Sequence, residues 1–423
     1  MKNKRILVVY PHNFFAHRMG IDSRYYELMK YFKSRNFSVD VLSVENFESS
    51  WKNQDPKEEN LIDELFLYDF AADKGSVKKN CKRFFRRFLK GKSAGTIIFE
   101  QLPDYAFPGM KKKFDEILSR KQYDFILISY IHWANLLETR DSYRSKLILD
   151  LSDFTTLNLN DMTGGKIHAG ALLEEEIRRV NLFDEVLCIS AEEKWFFSQF
   201  AKNPCFTYIP FFMKKNTRRV APATQDVNKR CSLSEKISSQ KNKISAHSST
   251  GKTGGKKEFD ILFIGSGNVF NKQGMDWFFE KVYPLLSRSL QILIVGNITS
   301  HVPAHENVKC VPFVPEVDDV YHKARISICP LLGGTGIKIK VIEALSYNLP
   351  VVTTSKSVVG FPSKRHNGCL IADTPEEFAG HISGLLTDKS LYDGQNKLAG
   401  ICFEENFEES IICERLDRVF LSL

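Results

Sequence analysis

The chain has 423 residues, 43% of them hydrophobic and 26% charged, so it can bury a substantial core and its length suits two or three domains. Its formal charge of +8 belongs to one stretch: residues 214–257 hold 12 Lys or Arg against 2 acidic side chains, which leaves the remainder slightly acidic and offers no general basic surface for nucleic acid. Nine scattered cysteines without a Cys-x-x-Cys pair argue for a reducing compartment and against a disulfide framework or a zinc site, and no apolar run approaches the roughly 18 residues of a spanning helix.

In chain order the first element is "RILVVY" (5–10), an apolar run too short for a signal sequence and read as a strand. Further strands are expected at "SVDVLSV" (38–44), "DFILISY" (124–130), "KLILDL" (146–151) and "EVLCIS" (185–190), with amphipathic helical stretches between them. Among those, "VKKNCKRFFRRFLKGK" (77–92) puts Val77, Cys81, Phe84, Phe85, Phe88 and Leu89 on one helical face and seven Lys or Arg on the other. Such a helix either lies in an anionic membrane interface or packs its Phe stripe on the core with a solvated basic face, and the sequence leaves both open.

Residues 214–257 are rich in Ser, Lys, Gly and Thr, cannot bury a core, and read as a basic flexible linker. Their Gly-Lys-Thr at 251–253 lacks the upstream glycine and the strand of a phosphate loop. Beyond the linker the alternation resumes with "FDILFIG" (259–265), "LQILIVG" (290–296), "VKCVPFV" (308–314), "ISICPL" (326–331) and "LPVVTT" (349–354).

Continuous Val, Ile and Leu runs mark parallel strands buried on both faces. Strand–helix alternation on both sides of the linker makes the expected fold α/β, with two Rossmann-like domains, 1–213 and 258–400, facing each other across a cleft at the carboxyl ends of their strands. The stretch "CPLLGGTGIKIKVIEALSYNLPVVTT" (329–354) fits that cleft: a strand, a turn of Gly333, Gly334, Thr335 and Gly336, then the N-terminus of a helix. Small residues let backbone amides approach an anion, the helix dipole favours it, and Lys338 and Lys340 add positive charge. Glu343, about two turns along, is placed to accept hydrogen bonds from ribose hydroxyls, so the pattern suggests a nucleoside diphosphate.

This stretch resembles the nucleotide-sugar-binding motif of GT-B glycosyltransferases, family 4 (glycosyl transferases group 1). "FIGSGNVFNKQGMDWFFEKVYPLL" (263–286) is similar to the same family's first strand, loop and helix of the C-terminal domain, with Gly265, Ser266, Asn271 and Trp277-Phe278 in matching places. The first half matches more loosely, through "VVYPHNFFAHRMGIDSRYYELMKYFKSRNFSVDVLS" with a single glycine, Gly20, where a pair is usual, and through "ILDLSD", "FDEVLCISAEEKWFF" and "YIPFF" in the expected order. Two departures stand out: the first carboxylate of the family's Glu-x7-Glu falls at Thr335, and Asn348 replaces a glycine before Pro350.

The resemblance implies retaining transfer of a sugar from a nucleoside diphosphate donor to a glycan or lipid-linked acceptor, without metal or cofactor, in surface polysaccharide or glycolipid assembly. The absence of any Asp-x-Asp agrees with metal independence. It implies donor binding by the C-terminal domain, diphosphate neutralisation by Lys338 and Lys340, a cleft histidine at His132, approach of the Gly20 loop from the opposite wall, and a terminal helix within 401–423 crossing back to the first domain. Asp153, Arg18 and His12 fall near the same edge without an assigned role. The expected location is cytoplasmic, with peripheral membrane contact through 77–92 left open. A nucleotide-sugar epimerase of the same fold, or a catalytically silent sugar-nucleotide-binding scaffold, are the alternatives.

Overall fold

The computed structural model describes residues 3–16, 20–45, 51, 60–69, 100–215, 257–314, 317–334 and 336–422. The basic stretch 77–92, nearly all of the 214–257 linker, Thr335 and Arg18 lie outside them.

The first domain is built on strands β1 (Arg5–Val9), β2 (Ser38–Glu45), β3 (Glu64–Asp69), β4 (Phe125–Ser129), β5 (Lys146–Leu151), β6 (Glu185–Cys188) and β7 (Cys205–Tyr208). They form one sheet in the order β3-β2-β1-β4-β5-β6-β7. The second domain has β8 (Phe259–Ile264), β9 (Ile292–Val295), β10 (Val308–Val311), β11 (Ala324–Cys329), β12 (Val351–Thr353) and β13 (Cys369–Ile371), ordered β10-β9-β8-β11-β12-β13. Every pairing is parallel. The expected pair of Rossmann-like domains is what the chain forms.

The continuous apolar runs have a simple cause. Along β1, Ile6 and Val8 pack into a cluster on one face while Leu7 and Val9 pack into another on the opposite face. Both faces are covered, and all four side chains are essentially inaccessible. The second sheet repeats this, with Leu262 on one side and Ile261 and Phe263 on the other. Each such side chain contributes about 1.5–3 kcal/mol of burial, so an alternating polar face would cost the sheet one of its two cores.

In both sheets the strand order reverses beside the first strand, between β1 and β4 and between β8 and β11. Loops leaving the carboxyl ends at those two points diverge and open a crevice.

Two chain crossings join the domains side by side. Met213 donates its amide to the Phe407 carbonyl at 3.2 Å, and Glu409 donates its own to the Met213 carbonyl at 3.0 Å. The outgoing crossing is anchored by Arg24, fully buried, which pairs with Asp150 at 2.5 Å and donates to the carbonyls of Ile209 (2.6 Å) and Pro210 (2.7 Å). The returning helix, Glu409–Phe420, packs Phe420 against Phe32, at 5.0 Å between centroids, and Phe125, at 5.2 Å. The crossing therefore falls at residues 407–408 instead of 401. The preceding helix, Lys389–Asn406, stays with the second domain because Ala399, Cys402 and Phe403 belong to its core.

Candidate functional site

The turn after β11 is shaped by two left-handed glycines, Gly334 (φ 90°) and Gly336 (φ 74°), a conformation that side chains disfavour. Behind it the Phe270 ring lies 3.4 Å from where a Cβ on Gly333 would sit and 3.3 Å from that of Gly334, so the turn rests on an aromatic plate. The helix that follows, Ile339–Ser346, starts with Lys338 in extended geometry at the N-cap. Lys338 Nζ donates to the carbonyls of Gly334 (2.9 Å) and Gly336 (3.0 Å). Burial lowers its pKa to about 8.

Lys340 is engaged differently. Its Nζ donates to Asn271 Oδ1 at 2.6 Å and stands 4.2 Å from the Phe263 ring centroid, and burial lowers its pKa as well. Asn271 in turn donates to the Ser266 carbonyl at 2.8 Å, and Asn268 caps the helix Val269–Trp277 by accepting from the Asn271 amide. Lys340 thus ties the helix to the loop after β8. Gly265 lies beneath this site, its carbonyl accepting from the Ile298 amide at 3.3 Å, and a Cβ there would press on Phe263 and Asn271. Glu343 accepts a hydrogen bond from Tyr321 Oη at 3.0 Å, and burial raises its pKa.

The opposite wall comes from the first domain. A Cβ on Gly20, the first residue of the helix Gly20–Ser34, would sit 2.1 Å from Ile339 Cδ1, so the N-termini of two helices, one from each domain, meet here. At the end of β4, Tyr130 holds φ 59° and ψ 139°, a strained backbone for a bulky residue, and so turns the chain into the short helix Ile131–Leu136. That turn aims His132 at the cleft. Its ring stands edge-on to Tyr105 at 5.3 Å, its Nδ1 is buried without a hydrogen-bond partner among the described residues, and burial together with the Arg179 charge lowers its pKa to about 4. It is a neutral imidazole at physiological pH.

These walls enclose a cavity of about 670 Å³. Gly20, His132, Ser266, Asn271, Gly333, Gly334, Lys338, Lys340 and Glu343 all line it, which brings together nine positions that the sequence scatters over more than three hundred. Gly265 and Gly336 sit just behind the lining, and His12 is buried beside Tyr10, with its ring 5.5 Å away. Asp153, Asn158, Tyr105 and Met162 are also among the first-domain residues of the wall, and of these only Asp153 carried any signal in the sequence, as a polar residue at a strand end.

A second contact between domains flanks the cavity. Gly360 (φ 96°) accepts from the Ala191 amide at 3.2 Å and from Tyr208 Oη at 3.0 Å, and donates to Glu192 Oε2 at 2.9 Å. Lys364 closes the group by pairing with Glu192. Gly360 leaves no room for a side chain, since a Cβ would stand 3.1 Å from that of Ile337, which lines the cavity.

The family described as "Glycosyl transferases group 1" matches residues 258–388, the domain that carries the glycine turn, both lysines and Glu343. That match spans about a third of the chain.

An uncharacterized 44.6 kDa protein in the cps region of Klebsiella pneumoniae is 28% identical over 142 residues, which takes in 29% of this chain and only 36% of that protein. Across the whole length, sucrose-phosphate synthase from Thermosynechococcus elongatus superposes with a TM-score of 0.65 at 12% identity, covering 99% of each chain. Anabaena HepE in complex with UDP and glucose does so with 0.61 at 13% identity, covering 100% of both. The lipopolysaccharide outer core galactosyltransferase WaaB, in its apo form, gives 0.55 at 12%, covering 99% of this chain and 100% of that one. The two domains together thus share the GT-B fold with these proteins.

Proposed function

We propose that the chain transfers a sugar, with retention of configuration and without a metal ion, from a nucleoside diphosphate donor to a hydroxyl of a glycan or lipid-linked acceptor. The observation that carries this reading is the interdomain cavity in which a helix N-terminus, a left-handed glycine turn and a buried lysine converge. The bond from the sugar's anomeric carbon to the diphosphate breaks as the acceptor oxygen bonds to that carbon on the same face, and the acceptor's proton leaves with the departing phosphate oxygen. Charge therefore builds on the diphosphate, and amides of the glycine turn, the helix dipole and the Lys338 ammonium offset it. Lys338 exchanges two carbonyl contacts for phosphate oxygens in doing so.

Lys340 holds the helix to the Ser266–Asn271 loop and adds its charge at second hand. Glu343 accepts from the ribose hydroxyls, and neutral His132 hydrogen-bonds to the reacting sugar or to the acceptor hydroxyl from the other wall. The UDP and glucose bound by HepE and the cps region that encodes the Klebsiella relative favour a role in extracellular or envelope polysaccharide assembly. No helix among the described residues is long and apolar enough to cross a membrane, and 77–92, where peripheral contact with an anionic membrane is left open, lies outside those residues.

The test is a panel of nucleoside diphosphate sugars assayed for release of the free diphosphate, with chelator present, on the wild type and on Lys338→Ala and Glu343→Ala. Release from one donor that is indifferent to chelator and lost in both variants supports the reading. Binding without turnover identifies a scaffold, and a changed sugar still attached to its nucleotide identifies an epimerase.

A further inference from the structure

One carboxyl on the cavity wall has no part in that scheme. Asp153 follows β5 at the carboxyl edge of the first domain, yet its Oδ1 lies 3.6 Å from where a Cβ on Gly336 would sit, so it crosses the cleft to the glycine turn of the other domain. Asn158, in the helix Thr155–Thr163, donates a hydrogen bond to it, and the Lys338 ammonium is the cation that faces it.

Behind it Glu193 is buried, with Oε2 unpartnered among the described residues and its pKa pushed well up by burial and by the Asp153 charge. Asp153, raised by burial to about 6, is mostly ionised at neutral pH, so this spot of the first-domain wall carries a carboxylate.

A carboxylate here repels a diphosphate, which belongs at the helix N-terminus beside it. It suits the next group along the donor. One hydrogen bond is committed to Asn158, which leaves further acceptor sites on its two oxygens, and the donors that match them are sugar hydroxyls. Glu343 lies five residues beyond Lys338, about 7.5 Å along the helix, whereas Asp153 faces Gly336 ahead of the helix N-terminus.

We propose that Asp153 receives hydroxyl groups of the transferred sugar, and so selects the donor by its sugar while Glu343 and the glycine turn hold its nucleotide. This rests on the sugar-nucleotide reading above.

The experiment titrates UDP, GDP, UDP-glucose, UDP-galactose and GDP-mannose into the full chain and into Asp153→Asn, with thermal unfolding of both as the control for folding. A charged hydrogen bond to a hydroxyl is expected to be worth about tenfold, so the variant binds the preferred sugar nucleotide about tenfold more weakly while its free diphosphate binds no more weakly than to the wild type. Asp153→Glu, which keeps the charge and moves it by one methylene, should show the same split. Equal weakening of diphosphate and sugar nucleotide overturns the proposal and makes Asp153 a partner of Lys338 alone. So does undiminished binding of both. If the wild type binds none of the five, the sugar-nucleotide reading itself falls, and this one with it.

Discussion

Lys338 gives the sharpest quantitative prediction. Its ammonium is drawn out of water into the turn, and the drop of its pKa from 10.5 to about 8 corresponds to roughly 3 kcal/mol of disfavour for the charged form, an upper value because part of the side chain still meets solvent. A diphosphate placed on it restores the charged form, so the pKa rises in the complex. Binding is then strongest below pH 8 and is lost as the pH climbs through that value. With about 8 in the free protein and a bound value near the ordinary lysine range, affinity for UDP should fall about tenfold between pH 7 and pH 9. Calorimetry in buffers of different ionisation enthalpy should show fractional proton uptake near pH 8. Lys338→Met should flatten the profile and weaken binding at pH 7 by about 10- to 100-fold, the range for a charged hydrogen bond. An affinity that stays level from pH 7 to 9 in the wild type would refute the reasoning, because no other placement of Lys338 on phosphate avoids the proton uptake.

His132 should leave no ionisation of its own in the activity profile above pH 5.5, since its pKa lies at about 4, whereas His132→Gln should lower kcat about 10- to 100-fold with little change in unfolding temperature. Gly360→Ala forces a side chain into a left-handed position against Ile337 and should cost about 1–2 kcal/mol in urea unfolding, together with weaker UDP binding. Arg24→Met strips the buried Asp150 of its ion pair and should cost about 3–5 kcal/mol, measured by the same titration, while Arg24→Lys recovers only part of it because a compact ammonium lacks the planar fork that reaches the carboxylate and the two carbonyls together.

The central strands were legible because burial on both faces leaves an unbroken apolar run that little else in a soluble chain produces. The edges were not. β3 (Glu64–Asp69) is half-buried or exposed on both faces and reads as mixed, while β7 and β13 have only four and three residues, too few to show a period. "VKCVPFV" was expected to run to 314 but ends at Val311, ahead of Pro312, which has no amide to continue a ladder.

In the site, the glycine turn, both lysines and Glu343 announced themselves by spacing along one segment. The division of labour between the lysines did not, because it depends on Asn271, sixty-nine residues away, which takes Lys340, and on two carbonyls of the turn, which take Lys338. Asp153 was equally obscure, since a single acidic residue after a strand has no local pattern and acquires meaning only from Gly336 across the cleft.

The carbonyl of Gly360 occupies the place of a capping group for the helix Ala191–Phe200, taking the amide of Ala191 that no turn of that helix can reach. A helix of one domain is therefore finished by a loop of the other. Whenever the halves of the molecule part, that amide faces water, and the first turn of the helix is left with Ser190 alone to hold it. The exchange rate of the Ala191 amide with deuterium is thus a clock for the opening of the cleft, readable without ligand or label, and slowed by whatever keeps the halves together.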